Sequence, residues 1–156
     1  MFHLLKKNIW VLTILFFILV SCDSRRVFEE NIAIENGKWN ANKKMCFEVP
    51  ILDTSSAYNV YINIRNEMDY PYSNLYLFLK TKFPDGRIAM DTLECLLADL
   101  DGRWLGSGIG SVKFNQFLLQ KGVYFREKGR YRFEVEQAMR VGELKGIKDI
   151  GLRIEK

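Results

Sequence analysis

Four runs in this chain alternate apolar and polar residues with a period of two, and that period limits the fold more than any other feature. Tyr58, Val60, Ile62 and Ile64 share one face of the first run, and Asn59, Tyr61, Asn63 and Arg65 share the other. Successive side chains of a strand point to opposite sides, so each run reads as a strand with one buried face. In residues 75–83, Leu75, Leu77, Leu79 and Phe83 oppose Tyr76, Phe78, Lys80 and Lys82. Tyr131, Phe133 and Val135 alternate with Arg130, Arg132, Glu134 and Glu136, and Ile150, Leu152 and Ile154 alternate with Gly151, Arg153 and Glu155. Pro84-Asp85-Gly86 is a turn, which makes residues 87–95 the hairpin partner of 75–83; Asp101-Gly102 is a second turn. Two stretches stay ambiguous. Residues 112–119 fit a short helix through Phe114, Phe117 and Leu118, or a strand with Val112, Phe114, Gln116 and Leu118 on one face, and residues 137–144 fit a helical turn or a wide loop. Short strands separated by turn residues predict an all-β fold, a single antiparallel β-sandwich of jelly-roll type.

The N-terminus follows different rules. Lys6 and Lys7 precede an apolar run from Ile9 to Val20, broken only by Thr13. That run is too short to span a bilayer comfortably, which takes about 20 residues. It ends in Leu19-Val20-Ser21-Cys22, the order of a lipobox, with a small residue before the cut and a thiol to carry diacylglycerol. The expected division is therefore a signal peptide over 1–21, a lipid anchor and polar tether over 22–38, and the sandwich over 39–156. Removing 21 of the 156 residues leaves 135, enough for one domain with its own core. The mature chain attaches to the membrane through acyl chains on Cys22, and more than one chain makes such an anchor stable.

Cleavage also changes the chemistry on offer. The lone histidine, His3, lies in the signal, which removes His-activated nucleophiles and His-based zinc sites. Without Lys6 and Lys7, 21 of the 23 basic residues face 19 acidic ones, a balance that argues against a nucleic-acid partner. Cys46 and Cys95 remain, and an oxidising envelope permits a disulfide between them; the alternative is two thiols acting as small hydrophobes. Residues 102–110 are glycine-rich but lack phosphate-loop and dinucleotide-binding spacing, so they read as a tight loop. Asp99-Leu100-Asp101-Gly102 lacks the remaining ligands of a calcium loop, and carboxylate pairs such as Asp91 with Glu94, expected in any chain with 19 acids, read as surface charge as readily as a glycosidase pair. No catalytic residue, metal site or cofactor is expected.

Binding is the remaining class. Trp104, Tyr70, Tyr72 and Trp39 fall in or near expected loops, where aromatic rings anchor a protein partner or stack on sugar rings. The alternative reading is that they plug the ends of the sandwich.

Several blocks together resemble a known family. They are Arg65-Asn66, Tyr70-Pro71-Tyr72-Ser73-Asn74-Leu75-Tyr76, Asp91-Thr92-Leu93-Glu94 with Leu97-Ala98-Asp99, Gly102-Arg103-Trp104-Leu105-Gly106-Ser107-Gly108, Gly129-Arg130-Tyr131, Glu136-Gln137-Ala138-Met139-Arg140 and the run from Gly146 to Glu155. With the lipidated cysteine, they are similar to the GldH family of gliding-motility lipoproteins of the Bacteroidetes. The resemblance implies a non-catalytic cell-envelope component that works with other envelope and gliding lipoproteins, a machinery that shares parts with type IX secretion. Its expected place is the outer membrane, facing the periplasm. The competing reading is a lipid-anchored carbohydrate-binding module with Trp39 and Trp104 as stacking platforms.

Overall fold

The structure is a computed structural model that describes residues 24–156. Its strands are β1 (Arg26–Ala33), β2 (Lys38–Asn40), β3 (Met45–Ile51), β4 (Tyr58–Glu67), β5 (Asn74–Lys82), β6 (Ile88–Leu96), β7 (Val112–Val123), β8 (Gly129–Gln137), β9 (Glu143–Lys145) and β10 (Ile147–Glu155). They pair first with last: β1 with β10, β2 with β9, β3 with β8, β4 with β7 and β5 with β6, all antiparallel. The chain is thus one long hairpin. Its tip is the turn at Pro84-Asp85-Gly86, where Phe83 N–H donates to the Arg87 carbonyl at 2.9 Å and Gly86 adopts φ +86°. Pairing of β10 with β4 and of β8 with β5 rolls the hairpin into two four-stranded sheets. The back sheet is β1-β10-β4-β7 and the front sheet β3-β8-β5-β6, which is the jelly-roll order.

The period-two runs account for this packing. Val60, Ile62 and Leu152 from the back sheet meet Leu77, Tyr131 and Phe133 from the front sheet, all buried. Full burial of side chains of this size stabilises the fold by about 1.5–3 kcal/mol each. Residues 112–119 are strand, but in the opposite phase to the strand alternative above. Ile62 pairs with Phe117 and Ile64 with Asn115, so the odd residues of β7 turn inward and Phe114 and Leu118 remain exposed. Residues 138–142 form a loop leading to β9.

Two expectations are corrected. The expected tether, 22–38, contains β1 and the first residue of β2, and the sandwich begins at Arg26. The polarity of β1 hid its strand character. Its outer face carries Glu29 and Asn31 beside Arg153 and Gly151 of β10, whereas Phe28 and Ile32 pack on the core. Cys46 and Cys95, in turn, cannot form a disulfide. They sit on β3 and β6, the two edges of the front sheet, three strand spacings apart and out of register by five residues, hence well over about 14 Å from each other. A disulfide requires Cα atoms within about 7 Å. Both are free thiols, Cys46 half-buried and Cys95 buried, and burial pushes the Cys95 thiol up to about 12.

Candidate functional site

The outer faces of the two sheets differ in kind. On the back sheet the polar side chains mostly pair with one another, and the exposed apolar Phe114 and Leu118 lie on edge strand β7. Arg153 lies between Glu29 at 2.9 Å and Glu155 at 2.8 Å, the Tyr61 hydroxyl donates to Glu155, Gln116 donates to Asn63, and Arg65 covers Asp149. Asp149 Oδ1 is buried there without a hydrogen-bond partner among the described residues.

The front sheet is divided. Over β8 and β3 it is charged: Lys44 pairs with Glu136 at 2.7 Å, and Arg132 bridges Glu134 and Glu48. Over β5 and β6 it is apolar and exposed. Tyr76 and Phe78 stand two residues apart on β5, and Ile88, Met90 and Leu96 line the adjacent strand, all exposed. Between this face and the loop after β8 runs a groove of about 570 Å³. Tyr72, Tyr76 and Phe78 form its aromatic wall, Met139 and Val141 the facing one, with Asn74, Thr92 and Arg140 as polar lining.

Buried polar groups hold both walls. Gln137, 3% exposed, donates to the Val141 carbonyl at 2.9 Å and accepts from Met139 N–H at 2.8 Å. It therefore brackets the loop and fixes Met139 over the groove. Ala138 N–H donates to the Tyr76 carbonyl at 2.8 Å, which pins the loop to β5. At the other wall Tyr70 is buried, its hydroxyl donating to the Asn74 carbonyl at 2.9 Å, and burial raises its phenol. Its ring contacts Tyr72 edge-on at 5.7 Å and Trp104 at 6.4 Å. Glu94 accepts from Asn74 and, by hydrogen bonding to Tyr76, raises that phenol too.

Three of the four aromatics singled out in the sequence therefore meet at one place, in different roles. Tyr72 is exposed and lines the groove, while Tyr70 and the half-buried Trp104 support it from behind. Trp39 lies elsewhere. It is wholly buried with Nε1 donating to the Lys43 carbonyl at 2.8 Å, so it cannot be a binding platform. Tyr76, Phe78 and Met139 were not singled out. The available signal was two aromatics on the solvent side of an alternating strand, where polar residues are the rule.

The groove's lining is mainly aromatic and apolar, with Asn74, Thr92 and Arg140 as its polar side chains. Among the described residues no cluster of His, Cys, Asp or Glu could hold a metal. Asp91 and Glu94 lie three residues apart on one strand, hence on opposite faces, and cannot act as a pair. Asp99 closes a turn, accepting from Asp101 and Arg103 N–H groups at 3.0 and 2.9 Å and pairing with the Arg103 side chain.

Residues 26–154, the whole sandwich, match the profile of the family described as GldH lipoprotein. The chain belongs to that family. It is 41% identical over 155 residues to a gliding motility lipoprotein GldH homolog of Christiangramia forsetii, covering 95% of this chain and 93% of that one. It is 35% identical over 156 residues to the gliding motility lipoprotein GldH of Flavobacterium johnsoniae, covering 96% of each. A GldH lipoprotein is a lipid-anchored component of the cell envelope, and both relatives are from Bacteroidetes. Among solved structures, TmCBM61 in complex with β-1,4-galactotriose aligns with a TM-score of 0.34 and 14% identity, over 80% of this chain and 86% of that one. A likeness that distant identifies no ligand.

Proposed function

We propose that this GldH-family domain is a non-catalytic docking subunit of the gliding machinery, held by acyl chains on Cys22 at the periplasmic face of the outer membrane. In this reading the front-sheet groove binds another envelope protein of the same machinery, which shares parts with type IX secretion. The observation that carries the proposal is the exposed aromatic wall of Tyr72, Tyr76 and Phe78, facing Met139. Apolar surface held rigidly in a concave site is what a partner's side chains bury against.

Placement within the sandwich supports this. Cys22 lies outside the described residues, and only Asp23, Ser24 and Arg25 separate it from β1. Lys156 N–H donates to the Arg25 carbonyl, and the Lys156 side chain packs on Tyr58, whose ring contacts Phe125, which contacts Tyr131, which in turn contacts Phe83. The anchored end is therefore the end with the hairpin tip. Tyr72 and Met139 sit at the other end of β5, about 26 Å away for eight residue steps. A short tether then holds one end of the domain at the bilayer and presents the groove away from it.

The carbohydrate reading loses a platform, since Trp39 is wholly buried. The anchor is tested by Cys22→Ser. Loss of metabolic acyl labelling and of detergent-phase partitioning is expected, and label retained on the serine variant would overturn it.

A further inference from the structure

Among the described residues, strand β6 is a sheet edge with no strand beside it, and it lacks devices that the other edges carry. β1 carries Arg26 and a register shift, β7 carries Lys113, Lys121 and two shifts, and β3 carries Pro50. Each is a device that discourages pairing with another strand. β6 has none. Its nine residues, IAMDTLECL, contain no proline and no base, and its ladder with β5 runs in unbroken register from Asn74↔Leu96 to Lys82↔Ile88.

Hydrogen bonds at both ends set the phase of that ladder. Phe83 N–H donates to the Arg87 carbonyl and Leu97 N–H to the Ser73 carbonyl, both in the register of β5 with β6. Across β5, Ala138 N–H donates to the Tyr76 carbonyl, so the even residues of β5 face β8. Bonds alternate along an antiparallel pair, so Ala89, Asp91, Leu93 and Cys95 bond to β5. The N–H and C=O groups of Ile88, Met90, Thr92, Glu94 and Leu96 therefore point out from the sheet. The side chains of these same residues lie on the outer face beside Phe78, with Ile88, Met90 and Leu96 all more than half exposed.

We propose that β6 takes an extended, basic segment of a protein partner as a fifth strand of the front sheet, with apolar side chains of the segment continuing the Tyr76–Phe78 face. This rests on the docking role above but uses a different contact, main-chain pairing rather than the groove. Charge selects the occupant. β6 carries Asp91 and Glu94 and no cation, and among the described residues no ion pair holds Asp91. A second copy of β6 laid alongside would cover Asp91 with no base opposite, whereas a lysine- or arginine-bearing strand supplies one.

The test uses the full chain in detergent and two nonapeptide probes, one alternating valine with lysine and one alternating valine with glutamate. On adding the basic probe, the amides of Met90, Thr92 and Glu94 should gain at least about tenfold protection from hydrogen exchange, while Ala89, Asp91 and Leu93 are already protected. The acidic probe should give none. Thr92→Pro removes an outward donor and no ladder bond, and should weaken the basic probe at least about tenfold. Asp91→Asn leaves every main-chain bond in place and should weaken it severalfold. Equal binding of both probes, unchanged affinity in Asp91→Asn, or protection of the same amides by self-association without peptide would overturn the proposal. Loss of partner binding in Tyr76→Ala/Phe78→Ala with the Thr92→Pro effect absent would leave the groove reading standing and remove this one.

Discussion

Tyr70 packs directly against Gly146, so closely that a Cβ at position 146 would lie 2.9 Å from Tyr70 Cα. Gly146 also adopts φ +87°, a conformation costly for any residue with a side chain, so contact and backbone both demand glycine there. Gly146→Ala should destabilise the domain by about 1–3 kcal/mol in chemical denaturation. Because Tyr70 supports Tyr72 and Trp104, the aromatic near-ultraviolet circular dichroism should change with it. An unaltered spectrum and unaltered stability would mean that Tyr70 does not rest on this glycine.

The two tryptophans should separate cleanly. Trp39→Ala empties a wholly buried site and strands the Lys43 carbonyl, at a cost of about 3–5 kcal/mol. Trp104 is half-buried behind Tyr70, and Trp104→Ala should cost about 1–2 kcal/mol in the same denaturation experiment. Equal losses would contradict the difference in burial.

Thiol chemistry distinguishes Cys46 from Cys95. Under non-reducing conditions neither should be oxidised with the other, and in the folded protein at pH 8 a maleimide should modify Cys46 and spare buried Cys95. Denaturant should make both react. Peptide mapping that recovers a Cys46–Cys95 cystine would contradict the strand order of the front sheet.

Stability should decline on the alkaline side. Burial raises the Cys95 thiol from 9.0 to about 12, and it raises the Tyr70 phenol above its ordinary 10.0. Above pH 9 the unfolded chain gives up protons that the folded chain keeps, so the folded state binds more protons and stability falls as pH rises. The melting temperature should drop progressively from pH 9 upward, and Cys95→Ala with Tyr70→Phe should flatten that limb.

The fold was legible because strand burial is periodic. The alternations at 58–64, 75–83, 131–135 and 150–154 are β4, β5, β8 and β10, and the Pro84-Asp85-Gly86 turn is the tip of the rolled hairpin. β1 escaped because its outer face is built from charges that pair with β10, which looks in sequence like a solvated spacer. β7 was ambiguous because Phe114 and Leu118 are apolar on the exposed side, so apolar residues occur on both faces. The site was half legible. Loop position suggested Tyr70, Tyr72 and Trp104, but exposure depends on what the rolled sheets cover, and Trp39 is covered completely. Tyr76 and Phe78 carried the better signal, being aromatic at outward positions of an alternating strand.

The most direct test of the docking role is the double variant Tyr76→Ala/Phe78→Ala, assayed for thermal stability and for recovery of gliding-machinery lipoproteins after in-cell crosslinking. Both side chains are exposed, so stability should stay within about 0.5 kcal/mol of the parent. Recovery of the partners should fall at least about tenfold, the loss expected when interface anchors are truncated. Partners recovered at the parental level from a stable double variant would contradict the groove as the docking site.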